Sequence, residues 1–222
     1  MQIDAVIFDM DGLMIDSERV YWAAGRELAK AHGKVVQDAT LGRMMGRSPV
    51  DSMRVFATET GIDRAPEILL EERDTRVYEL LRASAEPMPG LQETLERLHR
   101  QFKMAIATSA KRYFVDVIDA RINFVRYFQA VQTSEGIVNG KPHPEIYLKA
   151  MSRLGVSPER CVVLEDSSNG ARAGKSSGAY TIAVPSEHTR DQDFSFVDEV
   201  ASGLIDAANR IQSLVSERTP TS

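Results

Sequence analysis

The sequence predicts an α/β protein built on a parallel sheet, with a helical domain inserted near its start. Four short apolar runs indicate the sheet, because strands covered on both faces of a parallel sheet are almost continuously hydrophobic. The runs are AVIF at 5–8, MAIAT at 104–108, CVVL at 161–164 and YTIAV at 180–184. Helical patterns separate the later three runs, and this alternation predicts a doubly wound, Rossmann-like parallel sheet.

Turn residues bound two of the helices between these runs. Pro89 and Gly90 precede a helix that runs to about Arg100, and Pro144 precedes a second helix that Gly155 ends. Proline is favoured in the first turn of a helix, and glycine is favoured just beyond its last turn. These helices therefore support strand–helix–strand units with right-handed crossovers.

The stretch at 16–86 interrupts the alternation. It has no convincing strand pattern, and its apolar residues recur at helical spacing. It begins directly after the first apolar run and returns to the strand–helix pattern at its end. We therefore predict a helical cap domain at 16–86 and a Rossmann-like core formed by 1–15 and 87–222. The alternative is that these helices belong to one continuous α/β domain.

The composition is that of an ordinary soluble globular protein, with 43% hydrophobic and 27% charged residues. A net charge of -5 does not indicate a nucleic-acid or anionic-membrane partner. No apolar run approaches the roughly 20 residues that span a bilayer, and the start lacks a signal-peptide pattern. The single cysteine, Cys161, excludes an intramolecular disulfide and fits a reducing compartment. We expect a cytoplasmic monomer without nucleic-acid or membrane partners.

Polar side chains follow three of the predicted strands at the points where those strands end. They are Asp9 and Asp11 after AVIF, Thr108 and Ser109 after MAIA at a predicted helix start, and Glu165 and Asp166 after CVVL. Lys141 precedes a helix between the last two sets. Ligands of open α/β sheets bind outside the carboxyl ends of the strands, so we expect these side chains to converge at one edge of the sheet.

These residue types suit phosphoryl transfer. Two carboxylates about 4 Å apart repel each other by about 4 kcal/mol at an effective dielectric constant near 20, so crowded carboxylates need a counter-charge. Mg²⁺ prefers oxygen ligands and shares its coordination with phosphates. Lys141 adds positive charge for a phosphate dianion, and Thr108 and Ser109 offer hydrogen bonds to its oxygens. Such sites act by positioning and electrostatic stabilisation.

The two aspartates after the first strand can divide the reaction between them. One carboxylate can attack phosphorus and form an aspartyl-phosphate, while the other protonates the leaving oxygen and activates the next nucleophile. Alternation along an extended segment places Asp9 and Asp11 on the same side, and Gly12 lets the chain turn away. Each motif alone also fits a turn, a helix cap or a solvated lysine. Their joint placement after successive strands favours a site.

The ordered motifs resemble those of the haloacid dehalogenase superfamily of phosphotransferases over nearly the whole chain. The motifs are FDMDG at 8–12, ATSA at 107–110, GKPHPEIY at 140–147 and LEDS at 164–167. The resemblance implies that Asp9 is the nucleophile and Asp11 the acid/base. This second aspartate argues against dehalogenase chemistry, because dehalogenases lack it.

The same resemblance assigns the remaining residues of these motifs. It implies phosphate binding by Thr108 and Ser109 and a catalytic role for Lys141. It also implies Mg²⁺ as cofactor, held by the carboxylates of Asp9, Glu165 and Asp166 and by the backbone carbonyl of Asp11.

A helical cap directly after the first motif implies the subgroup that contains beta-phosphoglucomutase and many sugar-phosphate phosphatases. The run DMDGLMIDSERVYW resembles the phosphatases. Tyr21 and Pro49 stand where the mutase pattern has a histidine and an arginine, whereas Lys111 matches it and is predicted to bind the substrate phosphate. We predict that Gly46 and Arg47 in the cap loop contact the substrate anion.

The resemblance therefore favours a magnesium-dependent phosphatase that acts on a small phosphorylated metabolite, a sugar or polyol phosphate. The alternative within the same subgroup is a beta-phosphoglucomutase-like sugar phosphomutase. A more remote alternative is a catalytically silent phosphate-binding protein on the same fold.

Overall fold

A computed structural model describes residues 2–45 and 48–216 of the chain. The chain divides into two compact units, one formed by Met1–Asp16 with Glu86–Ser222 and the other by Ser17–Ala85. The first unit carries the sheet, and the described part of the second is helical with connecting turns. Among the described residues, every helix is too short or too polar to cross a membrane.

The first unit contains a parallel sheet of six strands. Its strands are β1 (Ala5–Phe8), β2 (Lys103–Ala107), β3 (Ala130–Gln132), β4 (Cys161–Glu165), β5 (Tyr180–Ala183) and β6 (Glu199–Val200). They lie in the order β3-β2-β1-β4-β5-β6, and all pair in parallel. The predicted Rossmann-like α/β fold is therefore confirmed. The sequence pattern missed β3 and β6, because strands of three and two residues are too short to show a hydrophobic run.

Nine α-helices occur in the described residues. They are α1 (Ser17–Ala31), α2 (Asp38–Met44), α3 (Pro49–Thr60), α4 (Pro66–Ser84), α5 (Leu91–Leu98), α6 (Arg112–Ile122), α7 (Glu145–Leu154), α8 (Ser168–Ser176) and α9 (Leu204–Ser216). Pro144 precedes α7, and Gly155 ends it in the left-handed conformation with φ 64°, as the sequence predicts. The sequence pattern did not predict the short helix α2, because its seven residues form too few turns to show a periodic apolar face.

The helical unit has an apolar core of its own. Side chains from α1, α2, α3 and α4 meet in one cluster of buried residues, among them Leu28, Met53, Phe56 and Leu69. Burial of these large side chains removes apolar surface from water, which is the main favourable term for folding. This core lies entirely within the residues of the helical unit.

Strand β1 lies at the centre of the sheet, between β2 and β4, and all four of its residues are buried. Phe8 pairs with Ile106 on one side and with Leu164 on the other. The strand order reverses between β1 and β4, and such a switch point leaves a crevice at the carboxyl ends of the strands. The residues that follow β1 and end β4 therefore meet at this crevice.

Candidate active site

The register of the sheet places Asp9 beside Glu165. Asp9 continues the ladder beyond β1, since its N–H donates to the carbonyl of Leu164 at 3.0 Å. Asp9 and Glu165 are buried, with 5% and 1% of their surfaces exposed, while Asp11 is half-buried. Asp9 and Glu165 thus lie side by side at the carboxyl ends of β1 and β4, at the switch point of the sheet.

Gly12 allows the chain to turn tightly beneath Asp166. Its φ is +77°, a conformation that other residues adopt only at a cost. A Cβ atom at this position would lie 2.4 Å from Oδ2 of Asp166, which is closer than any side chain permits. The glycine therefore leaves the space that the Asp166 carboxylate occupies.

Three buried carboxylates form the centre of the site. Asp9, Glu165 and Asp166 each offer an oxygen, and these three atoms lie within 4.8 Å of one another. Oxygen donors at this spacing suit a hard divalent cation. The arrangement is therefore one that could bind a metal ion, as the sequence predicts.

Lys141 joins two of these carboxylates. Its Nζ lies 2.5 Å from Oδ1 of Asp9 and 2.6 Å from Oε1 of Glu165, and its side chain is 10% exposed. Nζ also lies 3.4 Å from the carbonyl oxygen of Ala107, at the end of β2. The ammonium thus bridges the ends of three adjacent strands.

Glu145, for which the sequence predicts no role, stabilises the loop that carries Lys141. Its carboxylate accepts hydrogen bonds from the N–H groups of Val138 and Asn139 at 3.0 and 2.9 Å, and from Lys149 at 2.6 Å. The Lys149 ammonium and these two amides lower the pKa of Glu145 to about 2. The first turn of α7 is thereby tied to the loop just before the lysine.

The pKa values of the two carboxylates that contact Lys141 are shifted in opposite directions. Burial raises the pKa of Asp9 to about 8, helped by Glu165 and Asp11 and opposed by Lys141. Burial also acts to raise the pKa of Glu165, but Lys141, Ser167 and Tyr147 outweigh it and the pKa is lowered. Glu165 accepts hydrogen bonds from Tyr147 and Ser167 as well as from Lys141. A divalent cation bound beside Asp9 would add positive charge and lower the pKa of Asp9.

Thr108 is buried beside the second aspartate. Its hydroxyl donates to Oδ2 of Asp11 at 3.0 Å and accepts from the N–H of Ala110 at the same distance. Ser109 and Lys111 are exposed on the same loop, and the Lys111 ammonium lies 5.7 Å from the ring centroid of Tyr113. Of the three residues predicted to bind phosphate from this loop, Thr108 alone is buried with the acidic cluster.

The prediction that Thr108 and Ser109 start a helix is wrong. Helix α6 begins at Arg112, and Lys111 is its N-cap residue. The N–H of Ala110 bonds to the Thr108 hydroxyl, so the chain forms a local turn after β2 before the helix begins. The two hydroxyl residues therefore lie on a loop.

Other residues singled out in the sequence lie away from this cluster or outside the described chain. Gly46 and Arg47 lie outside the described residues. His143 accepts a hydrogen bond from the N–H of Glu145 at 3.2 Å, at the start of α7. Cys161 is buried, and burial raises the pKa of its thiol to about 12, which removes it as a nucleophile.

Comparison with known proteins supplies the family. The sequence profile of the haloacid dehalogenase-like hydrolases matches residues 6–184 of the chain. The chain belongs to this family. The match runs from β1 through β5 and so includes all the residues of the acidic cluster. Membership of this family confirms the resemblance found in the motifs, and it also confirms the prediction of a hydrolase.

The relatives agree with this assignment. A phosphorylated carbohydrates phosphatase of Thermotoga maritima is 34% identical over 181 residues, covering 79% of this chain and 82% of the relative. CbbY from Rhodobacter sphaeroides, solved with phosphate, has a TM-score of 0.82 at 23% identity, covering 91% and 95% of the two chains. A beta-phosphoglucomutase from Clostridium difficile has a TM-score of 0.79 at 21% identity, covering 97% and 98%. At these identities, the two structures establish the haloacid dehalogenase-like fold.

The raised pKa of Asp9 predicts that Asp9→Asn stabilises the protein when no divalent cation is bound. Between an ordinary aspartate pKa of about 3.9 and the folded value of about 8, the folded state binds more protons than the unfolded state. The wild type therefore loses stability as pH rises through this window, by at most about 1.4 kcal/mol per pH unit. The variant lacks this loss, so its advantage should grow from pH 5 to pH 8.

Urea denaturation in the presence of a chelator measures this difference. The exposed Asp63 supplies a matched control, and Asp63→Asn should show no such growth with pH. An Asp9→Asn protein that is less stable than the wild type at pH 8 without divalent cation would contradict the charge balance described for the site.

The close contact of Gly12 with Asp166 predicts a metal-binding defect in Gly12→Ala. Gly136 is a matched control, because it has a similar φ of +76° but open space around it. Both alanine variants should lose about 1–2 kcal/mol of unfolding free energy from the left-handed backbone. Only Gly12→Ala should also weaken Mg²⁺ binding, about tenfold or more, because it displaces a carboxylate of the cluster.

The rise in melting temperature with added Mg²⁺ reports this binding. Equal responses of the two variants would show that Asp166 does not need the space at Gly12.

Proposed function

We propose that this chain is a magnesium-dependent phosphatase that hydrolyses a small phosphorylated metabolite through an aspartyl-phosphate on Asp9. The contact of Lys141 with Asp9 at 2.5 Å, inside a buried cluster of acidic groups, carries the proposal. A buried carboxylate beside a lysine and a candidate cation site is suited to receive an electrophilic group that is itself negatively charged.

Asp9 is the proposed nucleophile and Asp11 the proposed acid and base. A carboxylate oxygen of Asp9 attacks phosphorus, and the bond from phosphorus to the substrate oxygen breaks as Asp11 protonates that oxygen. Asp11, now ionised, then takes a proton from water as the water oxygen attacks phosphorus; the bond between phosphorus and the Asp9 oxygen breaks, which releases inorganic phosphate and restores the Asp9 carboxylate. The half-buried position of Asp11 supports this role, because an acid/base group must reach both the substrate and water.

Lys141 and Thr108 have supporting roles in this scheme. Lys141 holds Asp9 in place and neutralises charge as the phosphoryl group approaches. The Thr108 hydroxyl, which donates its one proton to Asp11, can orient that carboxylate, or it can rotate to donate to a phosphate oxygen of the substrate instead. Ser109 and Lys111 are exposed on the same loop and are proposed as further phosphate contacts.

Mg²⁺ is the proposed metal ion. Asp9, Glu165 and Asp166 would hold it with the backbone carbonyl of Asp11, and the spacing of the three carboxylates supports this choice. When bound, the ion supplies positive charge that offsets the repulsion between the carboxylates and the phosphate.

The substrate class rests on the relatives. The relative from Thermotoga maritima is named for phosphorylated carbohydrates, and CbbY was solved with phosphate. We propose a sugar or polyol phosphate for this chain, with the helical unit Ser17–Ala85 as its cap domain. Tyr21 and Pro49 replace two residues of the mutase pattern, which favours hydrolysis over isomerisation.

A product assay separates the two activities. The enzyme is incubated with sugar and polyol phosphates and Mg²⁺, and both inorganic phosphate and isomerised sugar phosphate are measured. We expect stoichiometric release of inorganic phosphate, with substrates ranked by kcat/KM, and none from the Asp9→Asn variant. Isomerisation without release of phosphate would reject the phosphatase and establish the mutase. Binding of phosphate without turnover of any substrate would favour the silent protein.

Variants of the two aspartates test their separate roles. With an aryl phosphate, Asp9→Asn should lower kcat by at least about a thousandfold, because no aspartyl-phosphate can form. Asp11→Asn should retain a burst of aryl alcohol, because a good leaving group needs little protonation. Its steady-state turnover should fall by about a hundredfold or more, because water attack lacks its base.

Asp63→Asn is the control for both variants, since Asp63 is exposed on the turn between α3 and α4. Loss of the burst in Asp11→Asn, to the same extent as its turnover, would contradict the division of roles.

A further inference from the structure

Tyr147 is buried next to the acidic cluster, and no step of the proposed reaction uses it. It lies in the first turn of α7, and none of its surface is exposed. Its hydroxyl donates to Oε1 of Glu165 at 2.9 Å. Phenylalanine would satisfy the packing of this position, so the buried hydroxyl requires another explanation.

The hydroxyl of Tyr147 and the ammonium of Lys141 share one acceptor. Lys141 Nζ lies 2.6 Å from the same Oε1 atom and 4.9 Å from the centroid of the Tyr147 ring. The tyrosine therefore touches the lysine in two ways, through the shared carboxylate oxygen and through the face of its ring. Lys141 in turn reaches Asp9.

The other side of the Glu165 carboxylate is also held. Its Oε2 accepts hydrogen bonds from the N–H and the hydroxyl of Ser167, each at 3.0 Å. A Cβ at Gly170 would lie 1.6 Å from Oε1, so α8 closes tightly against the carboxylate. Both oxygens of Glu165 are thus oriented by hydrogen bonds. Among the described residues, Tyr147 and Lys141 donate to Oε1, and Lys141 also contacts Asp9.

We propose that Tyr147 is a positioning residue, whose hydroxyl fixes Glu165 and thereby places the Lys141 ammonium against Asp9. The catalytic consequence of this role rests on the proposed phosphatase function. The hydrogen bonds that join Tyr147, Glu165 and Lys141 are independent of that function. Without the hydroxyl, Oε1 loses one of its two donors, and the carboxylate can rotate and carry the ammonium away from the nucleophile. The residue acts through Lys141 and does not touch the reacting atoms.

Tyr147→Phe tests this role, because phenylalanine keeps the ring, its packing and its contact with the ammonium. Tyr180→Phe is a matched control, since Tyr180 begins β5 and its hydroxyl donates at 2.7 Å to Glu199 on the edge strand β6. We expect kcat for an aryl phosphate to fall by about ten- to a hundredfold in Tyr147→Phe, the size of one lost hydrogen bond to a charged group. KM should change less than about threefold, and the fall in kcat should persist at saturating Mg²⁺, because weaker binding of the metal by Glu165 would be overcome there. The control should retain the wild-type kcat.

A measurement that needs no activity follows the lysine itself. In protein labelled with ¹⁵N-lysine, the buried ammonium of Lys141 should give an NMR signal that Lys141→Arg removes. We expect this signal to shift or broaden in Tyr147→Phe and to stay unchanged in Tyr180→Phe. A folded Tyr147→Phe protein with wild-type kcat and an unchanged Lys141 signal would overturn the proposal. The proposal would also be overturned if Tyr147→Phe kept the wild-type kcat at saturating Mg²⁺ and only raised the Mg²⁺ concentration for half-maximal activity. That result would place the effect on the metal site.

A double-variant cycle locates the effect. If Tyr147 acts through Glu165, then Tyr147→Phe should lower kcat by less than about twofold when Glu165→Gln is already present. A full additional loss in the double variant would show that the hydroxyl acts elsewhere. Absence of phosphatase activity in the wild type would reject the proposed function alone, because the NMR comparison still decides the role of Tyr147.

Discussion

The sharing of one buried ammonium between two carboxylates is the interaction on which the rest of the site depends. Lys141 contacts both Asp9 and Glu165, yet its charge can offset only one of them. Glu165 gains further hydrogen bonds and ionises readily, whereas the pKa of Asp9 is raised. The proposed nucleophile must be ionised to attack, so the proposed reaction requires a second source of positive charge. This requirement connects the metal, the substrate phosphate and the lysine in one charge balance.

The sheet supplies this arrangement through its topology. Because β1 and β4 are neighbours and Phe8 pairs with Leu164, Asp9 and Glu165 meet although they lie 156 positions apart in the sequence (165 − 9). Lys141 arrives from the segment before α7, which Glu145 ties to the preceding loop. The repulsion between acidic groups is then a cost that packing of the fully buried strands must exceed. Stability and reactivity oppose each other here, as is common at sites where charges are concentrated.

The sequence was sufficient for the four inner strands of the sheet and for the acidic cluster, because both depend on short local patterns. Asp9 and Glu165 could be placed because each directly follows or ends an apolar run. Tyr147 could not be assigned a role, because its partner Glu165 comes from another strand and a tyrosine in an amphipathic helix is usually explained by packing. The helix start predicted at Thr108 failed for a related reason. Its hydroxyl satisfies a backbone N–H locally and so delays the helix, which a hydroxyl residue in a sequence does not reveal.

The glycines of the site show why its carboxylates can lie so close together. Gly12 and Gly170 stand against Asp166 and Glu165, and any side chain at either position would overlap the carboxylate. Two different elements, the turn after β1 and the first turn of α8, therefore pack closely against carboxylates of the cluster. Such steric confinement fixes the oxygens without adding donors that would compete with a metal ion for their lone pairs. The site thus combines two means of orientation, in which hydrogen bonds hold Glu165 beside Lys141 and close backbone packing at Gly12 confines the carboxylate of Asp166.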